Sequence, residues 1–353
     1  MDLLRDRLGR TAIRSAQVLI VLALVVVVGY VGVRLRLVVV PLLIATLVAA
    51  ALSPVVSWLT RRGLPRLVGV WTALLGLIGL LAAAGWLVGR AVRNQWDELR
   101  ESAGQGLVEL QDLVIERFGI DESQIEAARA GLGEALSGSQ LQTGAVSGAV
   151  AVVEVIVGIF LGIVVLYFLL ADGPRIWEFL RDLLPARHHA SLDAVADRSV
   201  GVLGGYVRGT AIIAFVDAVV IGVALVVLGV PLALPLAVVV FVGAFVPLVG
   251  ATVAGGLAAL VALVANGPVT ALIVVAVVVA VNQLEGDLLA PVVLGRSLKL
   301  HPLAVLLALS AGTIVAGIVG AILAVPFAAV TWAAFTTVRD RREERAPSRL
   351  RAP

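Results

Sequence analysis

Four polar side chains that could take part in proton or solute chemistry lie close together: Asn282, Gln283, Glu285 and Asp287. If the two carboxylates are buried, they cannot easily both be ionised, so one would hold a proton near neutral pH. A proton-coupled carrier needs such a group, and Na⁺ is a candidate transient ligand of the same two carboxylates. The alternative is that both carboxylates lie in water at the level of the lipid headgroups.

These residues open a polar, broken segment, residues 282–302, between two of the most apolar runs of the chain. Further charged residues and helix breakers complete it: Gly286, Pro291, Gly295, Arg296, Lys299, His301 and Pro302. Irregular backbone exposed to lipid would leave N–H and C=O groups without partners, at several kcal/mol each. The segment therefore belongs at the bilayer edge or in a protein-lined cavity, and we predict that it forms part of a transport site.

Other residues within apolar runs extend this candidate site. Asp217 is far from either end of its helix, so it either serves transport or pairs, with Arg208 on another helix or subunit as the candidate partner. Pro247 and Gly250 are expected to unwind a helix and free carbonyls that could coordinate a cation or a hydroxyl. Asn282 and Gln283 could hydrogen-bond a small polyol-like solute, although polar residues also join helices together.

Three glycines at four-residue spacing, Gly201, Gly205 and Gly209, predict a close contact between helices. Glu154 is another carboxylate in an apolar run. It is a weaker candidate for the site than Asp217, because its helix could begin after it and leave it near the membrane edge.

The composition restricts the class of protein. The chain has 353 residues, 60% of them hydrophobic and 14% charged, with a mean hydropathy of +1.07, which indicates an all-α integral membrane protein. It has no Cys, and no P-loop, G-x-S-x-G or HExxH motif, so ATP-driven and intramembrane-enzyme mechanisms are disfavoured. No cofactor or resident metal is expected. The basic tail fits a membrane flank better than a nucleic-acid site.

The order of apolar and polar stretches predicts about eight transmembrane helices. We expect N-terminal membrane helices (1–89), a polar helical insert (90–144), a membrane helix (145–171), an amphipathic segment (172–198), a transport core (199–338) and a basic tail (339–353). Placing the arginine-rich stretches in the cytoplasm puts both termini inside and the insert outside a bacterial-type cytoplasmic membrane. Arg34 and Arg36 fit this arrangement less well. Residues 231–300 could form either spanning helices or re-entrant hairpins.

Three motifs in the C-terminal half resemble those of the AI-2E (autoinducer-2 exporter) transporter family: FVPLVGA at 245–251, LEGDLLAPVVLGRSLKLHP at 284–302 and AGTIVAGIVGAILAVPFAA at 311–329. Leu248 and the Gly286-Asp287 pair depart from residues common in the family. The resemblance implies a secondary transporter or exporter of a small polar solute such as autoinducer-2, a sodium(lithium)/proton antiporter as the alternative, and a homo-oligomer, possibly a pentamer. A passive channel is a more distant alternative, because the polar residues cluster at helix breaks rather than along one helix.

The topology can be tested with single cysteines, since the chain has none of its own. Asp121→Cys should react with a membrane-impermeant maleimide in intact cells, and Arg345→Cys should react only after permeabilisation. The reverse pattern of labelling would show that the predicted topology is wrong.

Overall fold

The structure, a computed structural model, describes residues 7–118, 139–247, 249–289 and 301–345. Within these ranges all regular secondary structure is helical, because a helix satisfies its own backbone hydrogen bonds in hydrocarbon. The described α-helices are α1 (Arg7–Arg34), α2 (Arg36–Arg61), α3 (Arg66–Phe118), α4 (Ser139–Asp182), α5 (His189–Val227), α6 (Ala233–Gly243), α7 (Val249–Asn266), α8 (Pro268–Leu284) and α9 (Pro302–Arg345). A 3₁₀ turn at Ala186–His188 precedes α5, and a π-helical turn at Glu285–Leu289 follows α8.

Six of the described helical segments are long and apolar enough to cross a membrane. They are Arg36–Arg61, Arg66–Asn94, Val153–Asp182, Ala186–Val227, Pro268–Asp287 and Pro302–Arg341. Ala233–Gly243 and Gly250–Asn266 are apolar but shorter. The predicted all-α membrane fold is confirmed, whereas the count of eight spans and the re-entrant hairpins stay predictions.

Several helices continue through the places where the sequence changes from apolar to polar. At about 1.5 Å per residue, α3 is about 80 Å long and α4 about 66 Å, well beyond the roughly 30 Å of a hydrocarbon core. The changes near residues 89, 171 and 198 are therefore not helix ends, because polarity reports the surroundings of a helix and not its termination. Residues 119–138 of the predicted insert lie outside the described residues.

The arginines of several helices collect at one end of the bundle, which we call the basic end. It holds the α2–α3 turn, the α4–α5 turn and their arginines: Arg61, Arg62, Arg66, Arg175, Arg181, Arg187 and Arg198. Beyond the level of Arg66, the helices α4 and α5 are joined by polar contacts. The indole N–H of Trp177 donates to Asp193 at 2.8 Å, and Arg181 forms an ion pair with the same carboxylate at 3.8 Å.

Two arginines compensate for prolines in neighbouring helices. Proline has no N–H, so a proline inside a helix leaves the carbonyl four residues earlier without its usual donor. Pro54 does this to Ala50, and Pro174 does it to Leu170.

Arg66 at the start of α3 donates twice to the Leu170 carbonyl, from Nε at 3.3 Å and from Nη2 at 3.1 Å. On α5, Arg208 donates to the carbonyls of Ala50 at 3.4 Å and Ala51 at 3.2 Å, and Ser53 also donates to Ala50. The prolines thus create the acceptors, and these contacts tie α3 to α4 and α5 to α2.

The last helical segment, α9, reverses direction part-way along. Ala316 and Gly317 have non-helical dihedrals, with φ of 59° at Gly317, which favours glycine. A Cβ built on Gly312 would lie 2.9 Å from the Cβ of Ala324, although a straight helix would separate these residues by about 18 Å. The end of the predicted transport core, residues 302–338, is a hairpin of two helical arms packed through Gly312 and Gly320.

The structure locates the close approach between α5 and α2 one residue away from the predicted glycine series. A Cβ on Gly204 would meet the carbonyl of Ala50, whereas one on Gly201 would have nothing within 4 Å. Gly209 is buried and Gly205 is partly buried. Farther along α5, Gly222 faces Ala237 of α6, with a built Cβ 2.9 Å from the alanine Cβ.

The Arg66 contact predicts a dependence on Pro174 that a double-mutant cycle can measure. Arg66→Gln should lower the stability of the folded protein by about 1–2 kcal/mol, since two charged hydrogen bonds are lost. In a Pro174→Ala background the new N–H can serve Leu170, so the same change should cost less than about 0.5 kcal/mol.

Thermal unfolding in detergent measures both quantities. Arg62→Gln is the matched control, because that arginine lies at the same end but stacks on Trp58 at 3.9 Å. Equal costs of Arg66→Gln with and without Pro174 would show that the carbonyl contact contributes nothing.

Candidate functional site

A cavity of about 300 Å³ lies where α5, α6, α7 and α8 meet. Its polar lining comes from Asp217, Thr252, Asn282 and Glu285, and Pro247 closes one side. The remaining walls are apolar: Ile221, Val240, Ala244, Val246, Ala251 and Val278. Residues predicted from three separate stretches of the sequence therefore face one enclosed space.

The break between α6 and α7 requires glycine on both sides. A Cβ on Gly243 would lie 3.0 Å from the carbonyl oxygen of Gly250, and a Cβ on Gly250 would overlap the backbone of Gly243. This contact lets the chain turn within a few residues and bring Pro247 over the cavity. Gly250 thus acts by allowing the turn and is not itself part of the lining.

Carbonyls in this break are partly satisfied by the turn itself. The N–H of Val246 donates to the carbonyl of Gly243 at 2.8 Å, and the N–H of Gly250 donates to the carbonyl of Val246 at 2.9 Å. These two oxygens were among those expected to be freed by Pro247. The unwound backbone is therefore an ordered turn, and the cavity's charged oxygens come from side chains.

The end of α8 divides its polar residues between the cavity and the exterior. Asn282 and Glu285 are partly buried and line the cavity, whereas Gln283 and Asp287 are exposed and do not. Consecutive helical residues point about 100° apart, so neighbours on α8 cannot share one face. The four polar residues lie within six positions of the sequence, but only Asn282 and Glu285 face the cavity.

Asp217 is the most enclosed of the polar residues, with 5% of its surface exposed. Its Oδ1 atom is buried and has no hydrogen-bond partner, the single such side-chain atom among the described residues. Arg208 contacts carbonyls of α2 instead, so these two residues form no ion pair within this chain. Asp217 and Glu285 line the same cavity, and the unpaired Oδ1 of Asp217 can accept a hydrogen bond from a bound solute or ligate a cation.

The depth of the cavity follows from the helix lengths. The Asn266 side chain donates to the carbonyl of Gly229 at 3.2 Å, so the end of α5 and the α7–α8 turn lie at the same level. Measured from that level, Asp217 is about 18 Å away along α5, Thr252 about 22 Å along α7 and Glu285 about 27 Å along α8. The polar residues of the cavity thus lie about 18–27 Å from this end of their helices, along segments that are apolar over most of their length.

The other predicted site residues lie elsewhere. Pro291 and Gly295 are outside the described residues. Glu154 faces a different groove on the bundle. Sequence reasoning missed Gly243, for which the only signal was a glycine four residues before the PLVG turn.

The sequence profile of the AI-2E family transporters matches residues 18–340 of the chain. The protein belongs to the AI-2E transporter family. The family resemblance drawn from the three motifs is thereby confirmed, and it supports a role in membrane transport.

Two relatives extend this similarity to nearly the whole chain. A candidate transport protein of Mycobacterium tuberculosis is 39% identical over 328 residues, covering 90% of this chain and 87% of its own. A candidate transport protein of Bacillus subtilis is 29% identical over 323 residues, covering 88% of this chain and 86% of its own. The family assignment therefore covers both the N-terminal helices and the cavity-forming half.

The Gly243–Gly250 contact gives a prediction about this AI-2E protein's stability. Gly250→Ala should lower the free energy of unfolding by about 1–3 kcal/mol, because the added methyl group overlaps the backbone of Gly243. Gly256→Ala on the same helix has nothing within 4 Å of the new Cβ and should be neutral or slightly stabilising. Thermal unfolding of the two purified variants compares them directly, and equal melting temperatures would contradict the proposed role of the contact.

Proposed function

We propose that this AI-2E family member is a secondary-active transporter that exports a small polar solute such as autoinducer-2, coupled to an ion. The observation that supports this most is the cavity at the helix breaks, which Asp217 and Glu285 both line. Carboxylates within transmembrane segments are costly and are retained mainly where they serve a substrate or ion pathway. In this proposal they exchange a proton or Na⁺ while Asn282 and Thr252 contact the solute.

The size of the cavity fits this role. A volume of about 300 Å³ is at the lower end of the range for small-molecule sites. A lining that combines a few polar groups with aliphatic residues suits a compact, hydroxylated molecule. Larger solutes would require the helices to separate.

Sodium(lithium)/proton antiport is a second candidate function, favoured by the buried unpartnered oxygen of Asp217. Two carboxylates that bind either a proton or a cation in the same space would exchange one for the other without any organic solute. The two functions differ in whether autoinducer-2 itself moves across the membrane.

The cytoplasmic location of both termini, the homo-oligomeric state and the re-entrant arrangement of α6 and α7 belong to the same proposal. Because α6 has only 11 residues, it covers about 16 Å and ends inside the hydrocarbon. Such half-spanning helices place their broken ends at the binding site in other secondary transporters.

The matched substitutions Glu285→Gln and Asp287→Asn test the coupling role. The two residues share the π-helical turn, but one lines the cavity and the other is exposed. In proteoliposomes, Glu285→Gln should reduce ion-coupled flux on the order of tenfold or more and remove its pH dependence. Asp287→Asn should leave both unchanged, and Asp217→Asn should behave like Glu285→Gln.

The measurement is the flux of sodium and of autoinducer-2 between pH 6 and 9, with the protein content and melting temperature checked for each variant. Loss of flux together with loss of folded protein would favour a structural role for the carboxylates. Wild-type flux and an unshifted pH profile in both Glu285→Gln and Asp217→Asn would show that the cavity is not the coupling site.

A further inference from the structure

A second, larger space of about 530 Å³ lies between α2, α3, α4 and the start of the second arm of α9. Its walls are aliphatic along almost the whole length, including Val40, Ile44, Val48, Ile159 and Ile163. We call it the α2–α4 groove. It contains none of the residues of the transport cavity.

The groove is shaped by small residues on α4. A Cβ on Gly158 would lie 3.6 Å from the Pro41 side chain, and one on Gly162 would lie 3.7 Å from it. Pro41 is thus level with these two glycines. One helical turn farther from the basic end, α2 carries Arg36 and α4 carries Glu154, and both side chains line the groove.

These two opposite charges have no partner in the described part of the chain. Neither Arg36 nor Glu154 forms an ion pair or a hydrogen bond there, although they share the same mouth. Arg34 is engaged differently, since its Nε donates to the hydroxyl of Tyr30 at 3.2 Å. A cation and an anion, each without a partner among the described residues, therefore lie at the same end of the α2–α4 groove.

We propose that the α2–α4 groove binds one phospholipid whose headgroup carries both a phosphate and a primary amine. The phosphate pairs with the guanidinium of Arg36, the ammonium pairs with the carboxylate of Glu154, and one acyl chain lies along the aliphatic walls. A guanidinium binds phosphate through several N–H donors, and a carboxylate accepts from an ammonium group. The paired opposite charges select this zwitterionic lipid over an anionic one, which would be repelled by Glu154.

This site also gives a reason for an arginine at an unfavourable place in the predicted topology. Arg36 lies at the end of α2 away from the basic end, where the distribution of arginines disfavours a positive charge. A lipid phosphate at that level neutralises the charge, as happens when long basic side chains reach the headgroup region.

Native mass spectrometry of the purified full-length protein can test the proposal. The protein is loaded in detergent with phosphatidylethanolamine, phosphatidylglycerol or phosphatidylcholine, and the lipids retained on the folded protein are counted. The wild type should retain one phosphatidylethanolamine at about tenfold lower concentration than either other lipid, in line with one charged hydrogen bond.

Two substitutions separate the headgroup contacts. Glu154→Gln should remove the roughly tenfold preference for phosphatidylethanolamine over phosphatidylglycerol. Retention of phosphatidylglycerol should stay the same or improve. Arg36→Gln should weaken the binding of both lipids, since both carry the phosphate. Neither change should alter the melting temperature in lipid-free detergent.

A second pair tests the acyl-chain site. Val155 lines the groove and is 59% exposed, whereas Val157 on the same helix is 53% exposed and does not line it. Val155→Trp should fill the groove and abolish the retained lipid, and Val157→Trp should not.

Three results would overturn the proposal. Equal retention of all three lipids by the wild type and the variants would indicate non-specific surrounding lipid. Unchanged retention in Val155→Trp would place the lipid elsewhere. A change in oligomer mass in Val155→Trp, with the lipid still bound, would show that a second copy of the chain covers the groove.

Discussion

Hydrocarbon offers no partner to a backbone N–H or C=O group, and this constraint organises the structure. A chain of uninterrupted helices would satisfy it, but such a chain has no place to bind a solute. The protein instead interrupts its helices at a few positions and compensates each interruption locally. Arg66 and Arg208 serve the carbonyls left by prolines, the turn at Gly243–Gly250 bonds within itself, and a side-chain amide caps the end of α5 at Gly229.

The cavity lies at the one of these helix interruptions that is lined by carboxyl side chains. Where α6 and α7 break, the turn satisfies two of its own carbonyls, but Asp217 is left with a buried oxygen that has no partner. An unsatisfied buried acceptor costs roughly 1–3 kcal/mol, and more if it is charged. Elsewhere among the described residues the fold avoids this cost, so its presence beside Glu285 is best explained by a group that binds there from outside.

The sequence predicted the class of fold and several residues that line the cavity because both depend on local chemistry. Apolar runs longer than about 18 residues indicate spanning helices whatever their neighbours are, and a carboxylate such as Asp217 in such a run indicates a site or a partner. The sequence could not separate Glu285 from Asp287, or Asn282 from Gln283. Which of two neighbours faces the cavity depends on the rotation of α8 against α5 and α7, and tertiary packing sets that rotation.

The reversal of α9 could not be predicted from the sequence for a related reason. Glycines at 312, 317 and 320 fit a packed straight helix as well as a hairpin, and only the contact between the two arms decides. In the same way, Gly201 has the right spacing for a helix contact, but Gly204 makes the contact, beside the hydrogen bonds from Arg208 to the carbonyls of α2. The spacing of the glycines predicts that a helix has a face of small residues. Which of these residues makes the contact depends on how the partner helix packs against that face.

One helix, α2, lines the proposed lipid groove and also contacts α5, the helix that carries Asp217 of the cavity. Near one end, Pro41 packs against the glycines of α4 beside the groove, and farther along, Pro54 exposes the Ala50 carbonyl to Arg208. Arg208 and Asp217 lie on the same helix, about 14 Å apart along its axis. A helix bends most readily at its prolines, so a lipid that fixes α2 near Pro41 limits the positions open to Arg208, and through α5 to the cavity carboxylate. Under the two proposals taken together, the composition of the surrounding membrane affects transport through α2, without any contact between the lipid and the transported solute.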